Sequence, residues 1–87
     1  MARVFETIQR QIATGRIFQA KSWRLRPGCV ARVTIGPYRF ATGRKGWVLI
    51  DWSVAGGEEH HFYSVVSLAS YIQQVLSRNQ IREVFKV

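Results

Sequence analysis

Cysteine, carboxylates and long apolar runs are what this chain of 87 residues has least of. Its single cysteine, Cys29, has no partner within the chain. That excludes an internal disulfide and the stapled scaffold typical of small secreted domains. No apolar run approaches the ~18 residues of a membrane span. The N-terminal residues lack the apolar stretch of a signal peptide. The expectation is a protein of the cytoplasm, or one associated with the nucleoid, that is neither secreted nor membrane-bound.

Carboxylates number only five, which makes the chain a poor enzyme. Asp51 is expected to have no carboxylate neighbour with which to form an acid–base or two-metal pair. Cys29 lacks an orienting acid and an oxyanion element, so a buried structural thiol is the expectation. Gly43-Arg44-Lys45-Gly46 lacks the spacing of a phosphate-binding loop. Glu58-Glu59-His60-His61 is the one cluster of potential metal ligands, but adjacent strand residues point to opposite faces and the spacing is wrong for a shared ion. No catalytic residue, metal or cofactor is expected.

What the chain has in abundance is positive charge: 13 Lys and Arg, a net +8, and a pI near 10.9. The charge is unevenly placed. Residues 1–46 hold ten cations against Glu6 alone, whereas residues 47–87 hold three against four carboxylates. Such a one-sided field draws a polyanionic partner to one region of the surface.

The apolar pattern gives an order of elements. Val4, Phe5, Ile8 and Ile12 share one side of a helix over 2–14, with Gly15 as its stop. From residue 17 to residue 65, β-branched and aromatic residues alternate with turn signals, which predicts strands near 17–26, 29–35, 38–42, 47–54 and 59–65. The breaks fall at Arg26-Pro27-Gly28-Cys29, at Gly36-Pro37, at Gly43–Gly46 and at Ala55–Glu58. Leu68, Ile72, Val75 and Leu76 then draw the stripe of an amphipathic helix over 65–79, for core packing or dimerisation, with Asn79 as its stop. Ile81, Val84, Phe85 and Val87 form a further apolar patch that prolongs the helix, adds a strand or meets another subunit. The fold class read from this order is α+β: an N-terminal amphipathic helix, a curved antiparallel β-meander of four to five strands, then a C-terminal amphipathic helix, in one domain over 1–87.

Two turn assumptions place the cations. With a three-residue loop at Pro27 and a tight turn at Gly36-Pro37, Arg24 opposes Arg32, and Arg24, Arg26, Arg32 and Arg39 line one sheet face. In the strand near 47–54, Val48, Ile50, Trp52 and Val54 make the better core face, to be covered by the C-terminal helix. Trp47 and Leu49 are left for a subunit interface, the N-terminal helix or stacked bases.

Lys45-Gly46, one residue, then Val48-Leu49-Ile50-Asp51, with Tyr38 before the turn, resembles a stretch of the transcriptional coactivator family called positive cofactor four; Whirly proteins are similar in logic. The resemblance implies a curved antiparallel sheet followed by a helix, paired chains, and single-stranded DNA held on the sheets. It gives DNA-contacting character to Lys45 and Arg44, sheet-core roles to Val48 and Ile50, and a packing or dimer role to the helix stripe. The acidic Gly56–His61 segment stands where the family has a basic loop.

The functional expectation is a homodimeric, non-enzymatic protein that binds single-stranded DNA or RNA, as in transcription regulation or replication. Arg24, Arg26, Arg32, Arg39, Arg44 and Lys45 would neutralise phosphates, and Trp47 with Tyr38 or Phe40 would stack on bases. The competing expectation is a small inhibitor or adaptor whose basic face docks on an acidic protein.

Overall fold

The structure is a computed structural model that describes residues 3–21 and 32–86. Arg24, Arg26, Trp23, Cys29 and the turn expected at Pro27 lie outside the described residues. In chain order the elements are α1 (Arg3–Ala13), β1 (Phe18–Lys21), β2 (Arg32–Arg39), β3 (Lys45–Asp51), β4 (Glu58–Phe62), α2 (Val65–Val75) and α3 (Arg78–Phe85). The strands form one antiparallel meander in the order β1-β2-β3-β4, and the expected α+β class stands.

Strand alternation divides the sheet into two faces. Ala20, Val33, Ile35 and Leu49 point to one side and are buried with Ile8 and Ile12 of α1, Leu68 and Ile72 of α2, and Ile81 and Phe85 of α3. This helix face is the core. The ring of Phe85 lies 5.0 Å from that of Phe18, and Gln11 Nε2 donates to the Phe85 carbonyl at 2.6 Å, which ties α1 to α3. The helix stripe proposed for dimerisation or core is used inside the chain: Leu68, Ile72 and Leu76 are buried, and Val75 is half-buried against the same cluster.

Three expectations are corrected. The first concerns Gly36-Pro37, which is strand and not turn: β2 runs straight through, with Gly36 opposite Val48 and Pro37 opposite Trp47. Proline is tolerated because of where it falls. The Phe40 amide donates to Arg44 and the Arg32 carbonyl accepts from Trp52, so even-numbered β2 residues bond towards β3 and odd-numbered ones towards β1. The β1 strand begins only at Phe18, opposite Ile35, and Pro37 therefore lacks its N–H where no strand of the described residues needs it.

The second concerns the stripe over 65–79, which is two helices. Leu76 is extended (φ −101°, ψ 142°) and closes α2. Ser77 then opens α3 through a capping box: its hydroxyl accepts from the Gln80 amide at 3.2 Å, and its own amide donates to Gln80 Oε1 at 2.8 Å. Asn79, expected as a stop, lies in the first turn of α3, and Ile81 and Phe85 of the terminal patch are core.

The third concerns β3, which faces the other way. Leu49 is the buried residue under the helices and Trp47 packs beside it, whereas Val48, Ile50 and Trp52 share the opposite face. Both faces of β3 are apolar, and composition alone did not separate them. The β2–β3 loop decides the matter: Gly43 (φ +88°) closes a turn after Phe40 and sets Ile35 opposite Leu49.

Candidate nucleic-acid interface

Among the described residues no helix covers the second face of the sheet, and its chemistry is unlike that of a solvated surface. Near the β2–β3 hairpin it carries a continuous set of rings. The Tyr38 ring lies 5.0 Å from that of Phe40, edge-on, and 4.4 Å from that of His61. Phe40 stacks on Tyr63 at 4.4 Å and 25°. The Arg44 guanidinium carbon sits 4.1 Å above the Tyr63 ring centroid, a cation–π contact at the end of the row. Four of the exposed large apolar residues belong to this face or its margin: Ile17 (67%), Tyr38 (36%), Trp52 (44%) and Tyr63 (53%).

Phe40 follows β2 and Tyr63 follows β4, with β3 between them, and Gly46 is why they meet. A Cβ there would lie 2.4 Å from the Phe62 carbonyl oxygen and 2.6 Å from Phe40 Cε2. The bare backbone at Gly46 is the gap across which the two rings stack. At the far end of the same face Trp52 donates its Nε1–H to Thr34 Oγ1 at 2.9 Å, which holds the indole against the sheet. Arg32 is exposed on this face, and Glu59, 3.0 Å from His61 Nε2, is its carboxylate among the described residues.

The expected binding residues therefore divide. Tyr38, Arg32 and Arg44 share the open face. Arg39 does not: seven positions separate it from Arg32 along an unbroken strand, and an odd separation puts the two on opposite sides. Lys21, not Arg24, stands opposite Arg32. Lys45 pairs with Arg39 on the helix side. Trp47 is also on the helix side, half-buried, and donates Nε1–H to the Ile12 carbonyl at 3.3 Å, so of its expected contacts it makes the one with the N-terminal helix. Phe40, the alternative to Tyr38 as a stacking ring, is on the open face too, and His61, Tyr63 and Trp52 are the open-face rings absent from the expected set. The signal for four of the rings was spacing: Tyr38/Phe40 and His61/Tyr63 are two apart, as ring pairs on one side of a strand must be.

Asp51 is likewise corrected, because it stands opposite Glu58 in the β3–β4 register. Its Oδ1 is occupied by the amide and hydroxyl of Ser53, and Glu58 Oε1 lies 3.3 Å from His60 Nε2. His60 and His61 fall on opposite faces, and among the described residues no three His, Cys, Asp or Glu are grouped to hold a metal ion. Tyr71 of α2, with its hydroxyl 3.4 Å from His60 Nε2, has its pKa raised by burial and then by the charges of Glu58 and Asp51. The helix side is thus acidic at the Asp51/Glu58 end and basic at the Arg39/Lys45 end. No helix of the described residues is long and apolar enough to cross a membrane.

No family model matches this chain, no curated protein is significantly similar to it, and no solved structure matches it.

Proposed function

We propose that the open sheet face binds single-stranded nucleic acid without catalysis, with Tyr38, Phe40 and Tyr63 receiving unpaired bases and Arg44 and Arg32 neutralising phosphates. The observation that carries this reading is the row Tyr38–Phe40–Tyr63 capped by Arg44: contiguous, partly exposed rings and a cation on a sheet face that no helix of the described residues covers. Four-stranded sheets with surface aromatics hold two or three unpaired bases in a widespread single-strand-binding architecture. A duplex hides its base faces in the stack, so a flat row of rings favours a single strand. The net charge of +8 supplies the long-range attraction such a partner needs. Each base–ring stack contributes about 1–3 kcal/mol and tolerates any base.

The test is fluorescence anisotropy of a labelled oligothymidylate of about 12 nucleotides, titrated at about 50 and 200 mM salt. Binding is expected at low salt, weakening at high salt. Phe40→Ala with Tyr63→Ala should cost at least tenfold in affinity at either salt while the fold is retained. Absence of binding at low salt, or indifference to the double substitution, defeats the proposal. Capture of an acidic protein with no oligonucleotide binding would favour the adaptor reading instead.

A further inference from the structure

Behind the β2–β3 hairpin, on the helix side of the sheet, lies a second feature of different shape. A cleft of about 520 Å³ opens between the C-terminal end of α1 and the strands, lined by Ala13, Gly15, Pro37, Arg39, Lys45 and Trp47 among others. That volume lies within the range of small-molecule sites, roughly 300–1,000 Å³. One wall is planar and apolar, made by the half-buried indole and the Pro37 ring. Arg39 and Lys45 stand directly opposite each other in register, both exposed, and neither has an acidic partner among the described residues. Two like charges side by side repel one another unless an anion lies between them. The Asp51/Glu58 pair is at the other end of this sheet face, roughly 20 Å away at the rise of a strand, so the field favours an anion at the hairpin end.

A bare helix C-terminus opposes an anion, because it carries partial negative charge. At the end of α1 the carbonyls are engaged. Ile12 C=O accepts from the Gly15 amide and from Trp47 Nε1, and Gln11 C=O accepts from the Thr14 amide and hydroxyl. The same Trp47 bond fixes the indole plane, so the ring is held in place before any ligand arrives.

We propose that this cleft binds a nucleoside phosphate, with the base against Trp47 and Pro37 and the phosphate between Arg39 and Lys45. The choice of a base-bearing anion over another planar anion rests on the nucleic-acid reading of the open face. The same chemistry comes from two sources, a free mononucleotide or one unit of a strand that passes round the hairpin from Arg44.

The test uses the full chain with Trp23→Phe and Trp52→Phe, which leaves Trp47 as the only indole. AMP should quench its emission saturably, and adenosine or inorganic phosphate alone should need at least tenfold higher concentration. Arg39→Ala and Lys45→Ala, both at exposed positions, should each raise the AMP half-saturation at least threefold, with the circular dichroism spectrum unchanged. Phe40→Ala should leave it unaltered. Quenching by phosphate as effective as by AMP, or insensitivity to both cation substitutions, overturns the proposal. A 5′-phosphorylated trinucleotide that binds tighter than AMP assigns the cleft to a strand, and one that binds equally or more weakly assigns it to free nucleotide; both uphold the site. Oligonucleotide binding with a silent Trp47 removes the cleft alone. AMP quenching without oligonucleotide binding removes the open-face platform alone.

Discussion

The two faces of one sheet carry comparable numbers of large apolar side chains and put them to different use. On the helix side, Val33, Ile35 and Leu49 are branched aliphatics packed from above by Ile8, Leu68, Ile72 and Phe85, and almost nothing of them is left to solvent. On the open side, Tyr38, Phe40, His61 and Tyr63 are flat rings that touch one another edge-on or stacked and stay partly exposed. Aliphatic residues fill volume, whereas rings present area. A sheet that needed only stability would have little reason to keep the second kind uncovered, because exposed contiguous apolar surface marks interaction sites.

The sharpest test of that contrast pairs one ring from each side. Phe85→Ala should destabilise the fold by about 3–5 kcal/mol, the usual cost of deleting a fully buried phenylalanine. Phe40→Ala should cost less, about 1–2 kcal/mol, because a half-buried ring gives up only part of that burial along with its ring contacts. Urea denaturation of both variants decides it: equal losses would make the open face a second core and collapse the comparison. Next in size is Gly46→Ala. The added Cβ meets a backbone carbonyl, which does not move as a side-chain tip would. A loss of about 1–3 kcal/mol is expected from overpacking, together with loss of Phe40–Tyr63 stacking in near-ultraviolet circular dichroism.

A smaller effect, about 1 kcal/mol, is expected for Ser77→Ala, which removes the hydroxyl half of the α3 capping box. Thermal melting should show it with oligonucleotide affinity unchanged, since α3 belongs wholly to the helix side. The smallest effect is Tyr71 ionisation. Its folded pKa stands above the ordinary 10.0, so the fold favours the neutral phenol. That contribution is complete below the ordinary value and is lost as pH rises through the folded one. Ultraviolet titration should show one tyrosine ionising late in the wild type and not in Tyr71→Phe. An ordinary titration would mean that neither burial nor the charges of Glu58 and Asp51 act on it.

Periodicity makes much of this fold legible in the sequence. Ile8 and Ile12 at helical spacing, and the Leu68–Ile72–Leu76 stripe, are buried as their spacing predicts. The charge split was legible too, being a count. What escaped was parity. Gly36-Pro37 looks like a turn to local rules, and only the shortness of β1 explains why a proline survives within β2. That single misplacement put Arg39 on the wrong face. Likewise Val48-Leu49-Ile50 is apolar at every position, so its inside and outside are set by the hairpin register and not by hydropathy. The break after Leu76 did have a sign, Ser77 three residues before Gln80, hidden within an otherwise continuous stripe. The ring row had no local sign in its middle, because its members meet across a glycine from strands not adjacent in the sheet.

Pro37 has one more consequence. Where β2 extends past β1, no strand of the described residues pairs with its outer margin, the kind of edge on which a second sheet can grow. A residue without an N–H sits at that spot, so an incoming strand finds no donor there. The opposite margin, β4, reads Glu58-Glu59-His60-His61, a charged border. An apolar ring surface stays open to a ligand only if the sheet that bears it does not polymerise, and both margins give an incoming strand little to pair with.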